Sequence, residues 1–289
     1  MKEELFSGVC TALITPFLDE KVNYPLVEQL LYRQINAGVS AVVISGTTGE
    51  SPTLSDTEKI TLFKHAKACV GNQCKIIAGT GSNNTAHAIT LSQAAEAAGA
   101  DALLVVAPYY NKGNSNGLFS HYMSIAQAVK IPVIIYNVPS RTGIDLPVSI
   151  YQKLSVIPNI IGVKEASSDI TKISKIKNAC GPNFFIWSGN DDQIVPTISL
   201  GGRGIISVLS NIYPEETIAM TNAALSGDFN TAMMLQLQLM PLIEALFKEV
   251  NPIPVKYAMK YMGFDCGNCR LPLGKIGQDA KEMIDRYFA

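Results

Sequence analysis

The sequence predicts an α/β fold in which eight parallel strands, each followed by a helix, close into a (β/α)8 TIM barrel. Two observations predict it. Short apolar, β-branched runs recur at Gly8–Ile14, Ala41–Ser45, Lys75–Thr80, Asp101–Ala107, Pro132–Asn137, Ile160–Ala166, Phe184–Gly189 and Gly204–Val208. These read as continuous Val/Ile/Ala/Leu segments, the pattern of strands buried on both faces. Segments of helical period lie between them: Tyr24–Ala37, Ser55–Val70, Thr85–Ala98, Gly117–Val129, Pro147–Leu154, Ile170–Cys180 and Asp191–Leu200. Eight such units favour a closed barrel over an open sheet.

Glycines in Asn36-Ala-Gly38 and Ala97-Ala-Gly99 supply helix stops, because a residue just past a helix often turns left-handed. After the eighth strand the pattern is helical only: Pro214 onward, Asp228–Phe247, Pro254–Met262 and Asp279–Tyr287. The reading is a barrel over 1–224 and a small C-terminal helical extension over 225–289, joined without a flexible linker.

The 289 residues are 47% hydrophobic and 16% charged, enough for one large core. Lys and Arg total 23 against 24 for Asp and Glu, so no basic field exists to attract nucleic acid. No apolar run reaches the roughly 20 residues of a membrane span, and the first residues lead straight into a strand, so the expected location is cytoplasmic. Six cysteines scattered through a chain of this size are expected as buried free thiols.

Lys164 is a long cation inside the apolar strand Ile160-Ile-Gly-Val-Lys-Glu-Ala166. By alternation it shares the barrel interior with Gly162, whose missing side chain is expected to leave room beside the amine. Burial disfavours an ammonium, and a neutral amine can attack a ketone to form an imine. A structural lysine, paired with a carboxylate or reaching the rim, fits the same strand.

The ends of neighbouring strands supply further residues. Thr47 and Thr48 follow the second strand, Tyr110 the fourth, and Tyr136 ends the fifth. A pyruvyl imine needs a relay that takes a proton from the methyl group and returns it to the product alkoxide, and Tyr136, shuttling through Thr47 and Tyr110, suits that work. The turn Ser45-Gly-Thr-Thr-Gly-Glu50 offers backbone amides and hydroxyls to one carboxylate, and Arg141 a guanidinium fork to another.

These residues lie in Gly46-Thr-Thr-Gly-Glu-Ser51, Gly79-Thr-Gly-Ser-Asn83, Pro108-Tyr-Tyr110, Tyr136-Asn-Val-Pro-Ser-Arg-Thr-Gly143, Gly162-Val-Lys-Glu-Ala-Ser167, Ser188-Gly-Asn-Asp191 and Asn251-Pro-Ile-Pro-Val-Lys256. Across essentially its whole length the chain resembles the dihydrodipicolinate synthase (4-hydroxy-tetrahydrodipicolinate synthase) family. The resemblance implies condensation of pyruvate with aspartate 4-semialdehyde in the diaminopimelate route to lysine, with no cofactor beyond the covalent imine on Lys164. It implies a relay of Tyr136, Thr47 and Tyr110, a pyruvate carboxylate on Thr48, and a semialdehyde carboxylate on Arg141, with Gly189 and the Ile206 carbonyl lining the pocket. It also implies a homo-oligomer, a tetramer built as a dimer of dimers, in which Tyr110 reaches the partner's site.

Lysine-inhibited members carry an acidic residue where this chain has His87, and histidines where it has Asp56 and Lys59. Ser51, Asn83 and Tyr109 still match that effector site, so weak or absent lysine feedback is expected.

Other readings draw on the same residues. A sister aldolase acting on sialic acid or a keto-deoxy sugar acid would share the imine, but Arg141 suits an acidic aldehyde better than a polyol. A catalytically silent barrel would have no need of Lys164, Tyr136, Thr47 and Arg141 together. A metal enzyme would need convergent ligands. Cys266-Gly-Asn-Cys269 has knuckle spacing without a second pair, Glu165 is expected to point outward, and Asp191 and Asp192 stand alone, so no metal site is expected. Gly79-Thr-Gly81 lacks the third glycine of a nucleotide cradle.

Overall fold

A computed structural model describes residues 2–289. Its core is a closed barrel of eight parallel strands: β1 (Gly8–Ala12), β4 (Ala41–Ile44), β5 (Lys75–Gly79), β6 (Ala102–Val106), β7 (Val133–Asn137), β8 (Ile160–Glu165), β9 (Phe185–Ser188) and β10 (Gly204–Ser207). The numbering includes a two-stranded hairpin, β2 (Phe17–Leu18) and β3 (Lys21–Val22), beside the barrel. Strand β1 pairs with both β4 and β10, which closes the ring.

The helices alternate with the strands: α1 (Tyr24–Ala37), α2 (Asp56–Val70), α3 (Thr85–Ala97), α4 (Ser115–Ala128), a one-turn α5 (Pro139–Thr142), α6 (Val148–Ser155), α7 (Ile170–Cys180), α8 (Ile194–Ser199) and α9 (Pro214–Leu225). The extension holds α10 (Phe229–Leu246), α11 (Ile253–Ala258) and α12 (Gln278–Phe288). Local chemistry explains the boundaries. Helix α2 starts on a capping box in which Ser55 and Glu58 exchange hydrogen bonds, and α1 ends on Gly38, left-handed at φ 88°. The seventh expected helix, Asp191–Leu200, is shorter than the sequence pattern suggested, because Asp191–Gln193 forms a separate turn of 3-10 helix. The helix after Tyr136 and the hairpin are too short for a periodicity reading.

Because strand side chains alternate, the barrel divides its apolar residues into two cores. One lies between barrel and helices and includes Val42, Ile76, Leu103, Val105 and Ile135. The other fills the barrel interior with Cys10, Val43, Ile77, Leu104, Ile134, Tyr136, Trp187 and Ile206. Trp187 plugs it, stacked on Phe6 with ring centroids 4.8 Å apart and donating its indole N–H to the Phe6 carbonyl at 3.3 Å. A buried polar chain fastens the seam beside β1: the Thr11 hydroxyl donates to Gln34 Oε1 at 2.7 Å, and Gln34 Nε2 donates to the Ser210 carbonyl at 3.0 Å.

All six cysteines are free. Cys10, Cys74, Cys266 and Cys269 are buried, whereas Cys69 and Cys180 are half-buried, a departure from the expectation that all would be inside. Both sit on outer helices whose exposed edge the apolar strands do not cover.

Candidate active site

Lys164 lies on β8, opposite Tyr136 of β7 on one side and Trp187 of β9 on the other. Its side chain is buried, and Nζ sits 4.5 Å from the centre of the Tyr136 ring. The phenol ring face is thus the group packed against the amine. The nearest acid on the same strand is turned away. The Glu165 carboxylate accepts hydrogen bonds from Asn137 Nδ2 at 2.8 Å, Tyr151 Oη at 3.1 Å and the Ser167 amide at 2.9 Å, on the helix side of the wall.

Room for the lysine does not come from Gly162. A Cβ there would lie 2.1 Å from the Phe185 carbonyl oxygen and 3.0 Å from the Trp187 ring, so that glycine makes space for β9. Gly162 and Lys164 do share the interior face, paired with Ile134 and Tyr136 of β7 and with Phe185 and Trp187 of β9. Gly189 makes the space instead: a Cβ there would lie 2.6 Å from Ala166 Cβ and 3.1 Å from Lys164 Cε.

Above the Tyr136 ring opens a cavity of about 240 Å³. Tyr136, Thr47, Arg141, Ser51 and Tyr109 all line it, with Ser45 and Thr142 among the remaining walls. Five of the residues named from the sequence thus converge, although they come from β7 itself and from the loops after β4, β6 and β7. Lys164 contacts this cavity through Tyr136 and is not in its wall. Ile206 is fully buried in the barrel interior.

Two residues lie elsewhere than a single-chain relay requires. Tyr110 has left-handed backbone at φ 71° and is 89% exposed, outside the cavity. Thr48 is buried and absent from the cavity wall; its hydroxyl accepts a hydrogen bond from Asn251 Nδ2 at 3.0 Å. The Asn251 carbonyl in turn accepts from Arg141 Nη2 at 3.0 Å, so one residue of the extension ties the loop after β4 to the guanidinium after β7. The sequence around Asn251 gives no sign of this bridge, because both partners are more than a hundred residues away.

Of the remaining residues expected at an effector site, His87 is engaged on both nitrogens, by Ser82 Oγ at 3.1 Å and by Asp56 at 2.9 Å. Lys59 stands 4.0 Å from the same Asp56 carboxylate, and burial lowers the pKa of its ammonium. Asn83 offers its carbonyl to Asn111 Nδ2 at 2.9 Å. Neither Asn83 nor His87 reaches the cavity wall.

Two buried carboxylates set the frame of the mouth. Asp191 accepts from Ser207 Oγ at 2.6 Å and from the amides of Val208 and Leu209 at 3.0 and 3.1 Å, which fixes the turn after Ile206. Burial pushes its carboxyl above the usual range, and those hydrogen bonds draw it back. Glu50, fully buried, ends the turn that carries Thr47 and Thr48. It accepts from Lys256 Nζ at 2.9 Å and from the Arg270 amide at 2.8 Å, and Lys256 also donates to the Thr15 carbonyl at 3.1 Å.

The fold and the site together define a (β/α)8 barrel with an amine inside it and hydroxyls and a guanidinium converging at its mouth. Comparison with known proteins narrows that class: residues 5–288 match the model of the dihydrodipicolinate synthetase family, and the chain belongs to that family, whose members are lyase-type aldolases. It is 49% identical over 281 residues to the 4-hydroxy-tetrahydrodipicolinate synthase of Thermoanaerobacter pseudethanolicus, covering 97% of this chain and 95% of that one. The Acetivibrio thermocellus protein of the same name is 45% identical over 284 residues, covering 98% and 97%. Among solved structures, dihydrodipicolinate synthase from Aquifex aeolicus superposes with a TM-score of 0.96 at 39% identity, covering 98% and 97% of the two chains. The structure of DHDPS from Cyanidioschyzon merolae with lysine bound gives 0.95 at 38% identity, with the same coverage.

The Glu50–Lys256 pair yields a stability prediction. Lys256→Met leaves a buried carboxylate without its cation and is expected to cost about 3–5 kcal/mol in urea unfolding, whereas the double variant Glu50→Gln, Lys256→Met recovers most of that loss. Equal losses in single and double variants would contradict the coupling.

Proposed function

We propose that the chain condenses pyruvate with aspartate 4-semialdehyde, as a 4-hydroxy-tetrahydrodipicolinate synthase of the diaminopimelate route to lysine. The observation that carries this reading is the buried Lys164 amine against Tyr136, beneath a cavity that Tyr136 shares with Thr47 and Arg141. In the neutral form, the amine adds to the pyruvate ketone. Loss of water from the carbinolamine gives the imine, and loss of a methyl proton gives the enamine. The enamine carbon then attacks the aldehyde, whose oxygen takes up a proton. The amino group of the former semialdehyde displaces Lys164 from the imine carbon, which closes the ring and regenerates the lysine.

The chain's own groups divide this work. Tyr136 passes protons between the methyl carbon and the oxygens through Thr47, which lines the same cavity. Arg141, fixed by the Asn251 carbonyl, receives the semialdehyde carboxylate as a planar fork. Thr48 and the turn that carries it receive the pyruvate carboxylate, while Gly189 and the Ile206 carbonyl bound the space around the imine. The carbonyl is activated by the chain's own lysine, so the reaction needs no added cofactor.

The position of Tyr110 supports a relay completed between two copies of the chain, since its side chain points to solvent in one. An apolar surface on α10, with Met233 51%, Met234 61% and Leu237 62% exposed, supports further association into a dimer of dimers. No helix among the described residues is long and apolar enough to cross a membrane, and six free thiols suit a reducing compartment, so the reading places the reaction in the cytoplasm.

Borohydride reduction in the presence of pyruvate, followed by peptide mass spectrometry, tests the chemistry. The wild type is expected to carry a pyruvyl adduct on Lys164; Lys164→Ala carries none and does not turn over. Tyr136→Phe still forms the adduct, but turnover falls by roughly 10²–10⁴-fold. An adduct without condensation of the semialdehyde would transfer the reading to a sister aldolase of sugar acids.

The effector cleft is proposed to respond weakly or not at all to lysine. Asp56 already hydrogen-bonds to His87 and lies 4.0 Å from the Lys59 ammonium, so it is not free to take an effector's ammonium. Titration of lysine into the steady-state assay is expected to leave the rate nearly unchanged through millimolar concentrations. Strong inhibition in the micromolar range would contradict this reading.

A further inference from the structure

Outside the barrel mouth, three side chains of different chemistry converge between neighbouring outer helices. Glu28 projects from α1, and His65 and Cys69 lie one turn apart on α2, each half-buried. One ligand atom from each lies within 4.8 Å of the other two. Cys69 Sγ and His65 Nε2 are 3.6 Å apart. Zinc bonds of about 2.3 Å to sulfur and 2.0–2.1 Å to nitrogen, at a tetrahedral angle, place those two atoms about 3.6 Å apart as well. Tyr24 packs edge-on against the imidazole at 5.3 Å and holds its ring plane. Cys266 and Cys269, whose spacing suggested a knuckle, take no part.

We propose that Glu28, His65 and Cys69 form a surface site for one zinc-like divalent cation, clamping α1 to α2. Thiolate, imidazole and carboxylate form a mixed set that suits a borderline ion such as Zn²⁺ or Co²⁺ and suits the all-oxygen preference of Mg²⁺ or Ca²⁺ poorly. Three protein ligands leave a fourth position to solvent. Without the ion, burial and the neighbouring Glu28 charge raise the Cys69 thiol. A bound cation reverses both effects, stabilising the thiolate and drawing in the carboxylate, so binding releases a proton. The proposal is independent of the barrel chemistry, since none of the three residues lines the cavity.

Co²⁺ titration of the full chain, followed by absorbance, tests the site. The expected result is saturation at one equivalent per chain with a near-ultraviolet thiolate-to-cobalt band, abolished by stoichiometric Zn²⁺. The band is lost in Cys69→Ser and kept in Cys180→Ser, and Zn²⁺ raises the thermal midpoint of the wild type but not of Cys69→Ser. Glu28→Gln, half-exposed and mild, keeps the band with weaker binding, and covers the case in which Cys69→Ser fails to fold. Absence of a band, its survival in Cys69→Ser, or unchanged affinity in Glu28→Gln would overturn the three-ligand site.

Discussion

A primary amine inside an apolar barrel has to be accommodated by its neighbours, and much of the mouth is arranged around that requirement. The backbone of β8 places Lys164 between Tyr136 and Trp187 in register. Gly189 yields the volume its Cε occupies. The acid that follows it in sequence, Glu165, is held on the far side of the wall by Tyr151 and Asn137. The amine therefore packs against the Tyr136 ring face rather than against the carboxylate next to it in sequence.

The same constraint explains the extension's role. Catalytic groups on barrel loops are only as well placed as the loops themselves, and here the C-terminal segment supplies the fastening. Asn251 bridges Thr48 and Arg141, Lys256 anchors Glu50 at the end of the threonine turn, and Arg270 holds Glu58 at the start of α2. That last pairing draws the Glu58 carboxyl down to about 2. The extension therefore belongs to the site's architecture, although it contributes no side chain to the cavity wall.

What could be read in the sequence follows the range of the forces involved. The strands were legible because parallel strands buried on both faces become uninterrupted apolar runs, and Lys164 was legible because it interrupts one. The resemblance carried the roles of Thr47, Tyr136 and Arg141, and these do converge. Gly162 was misread because its missing side chain makes room for the Phe185 carbonyl and the Trp187 ring of β9, a close approach between two strands that the β8 sequence alone does not encode. The Asn251 bridge and the grouping of Glu28 with His65 and Cys69 depend on contacts between distant segments, which no local period encodes. Tyr110 lies outside the site of its own chain, a placement that the spacing after β6 alone does not determine.

The central claim, that the Lys164 amine is the group that holds pyruvate, is tested most directly by a crystal structure of the protein soaked with pyruvate. The account predicts continuous density from Lys164 Nζ to the keto carbon of pyruvate, with the Tyr136 hydroxyl beside the adduct. Pyruvate bound without a covalent link, or joined to a different lysine, would contradict it.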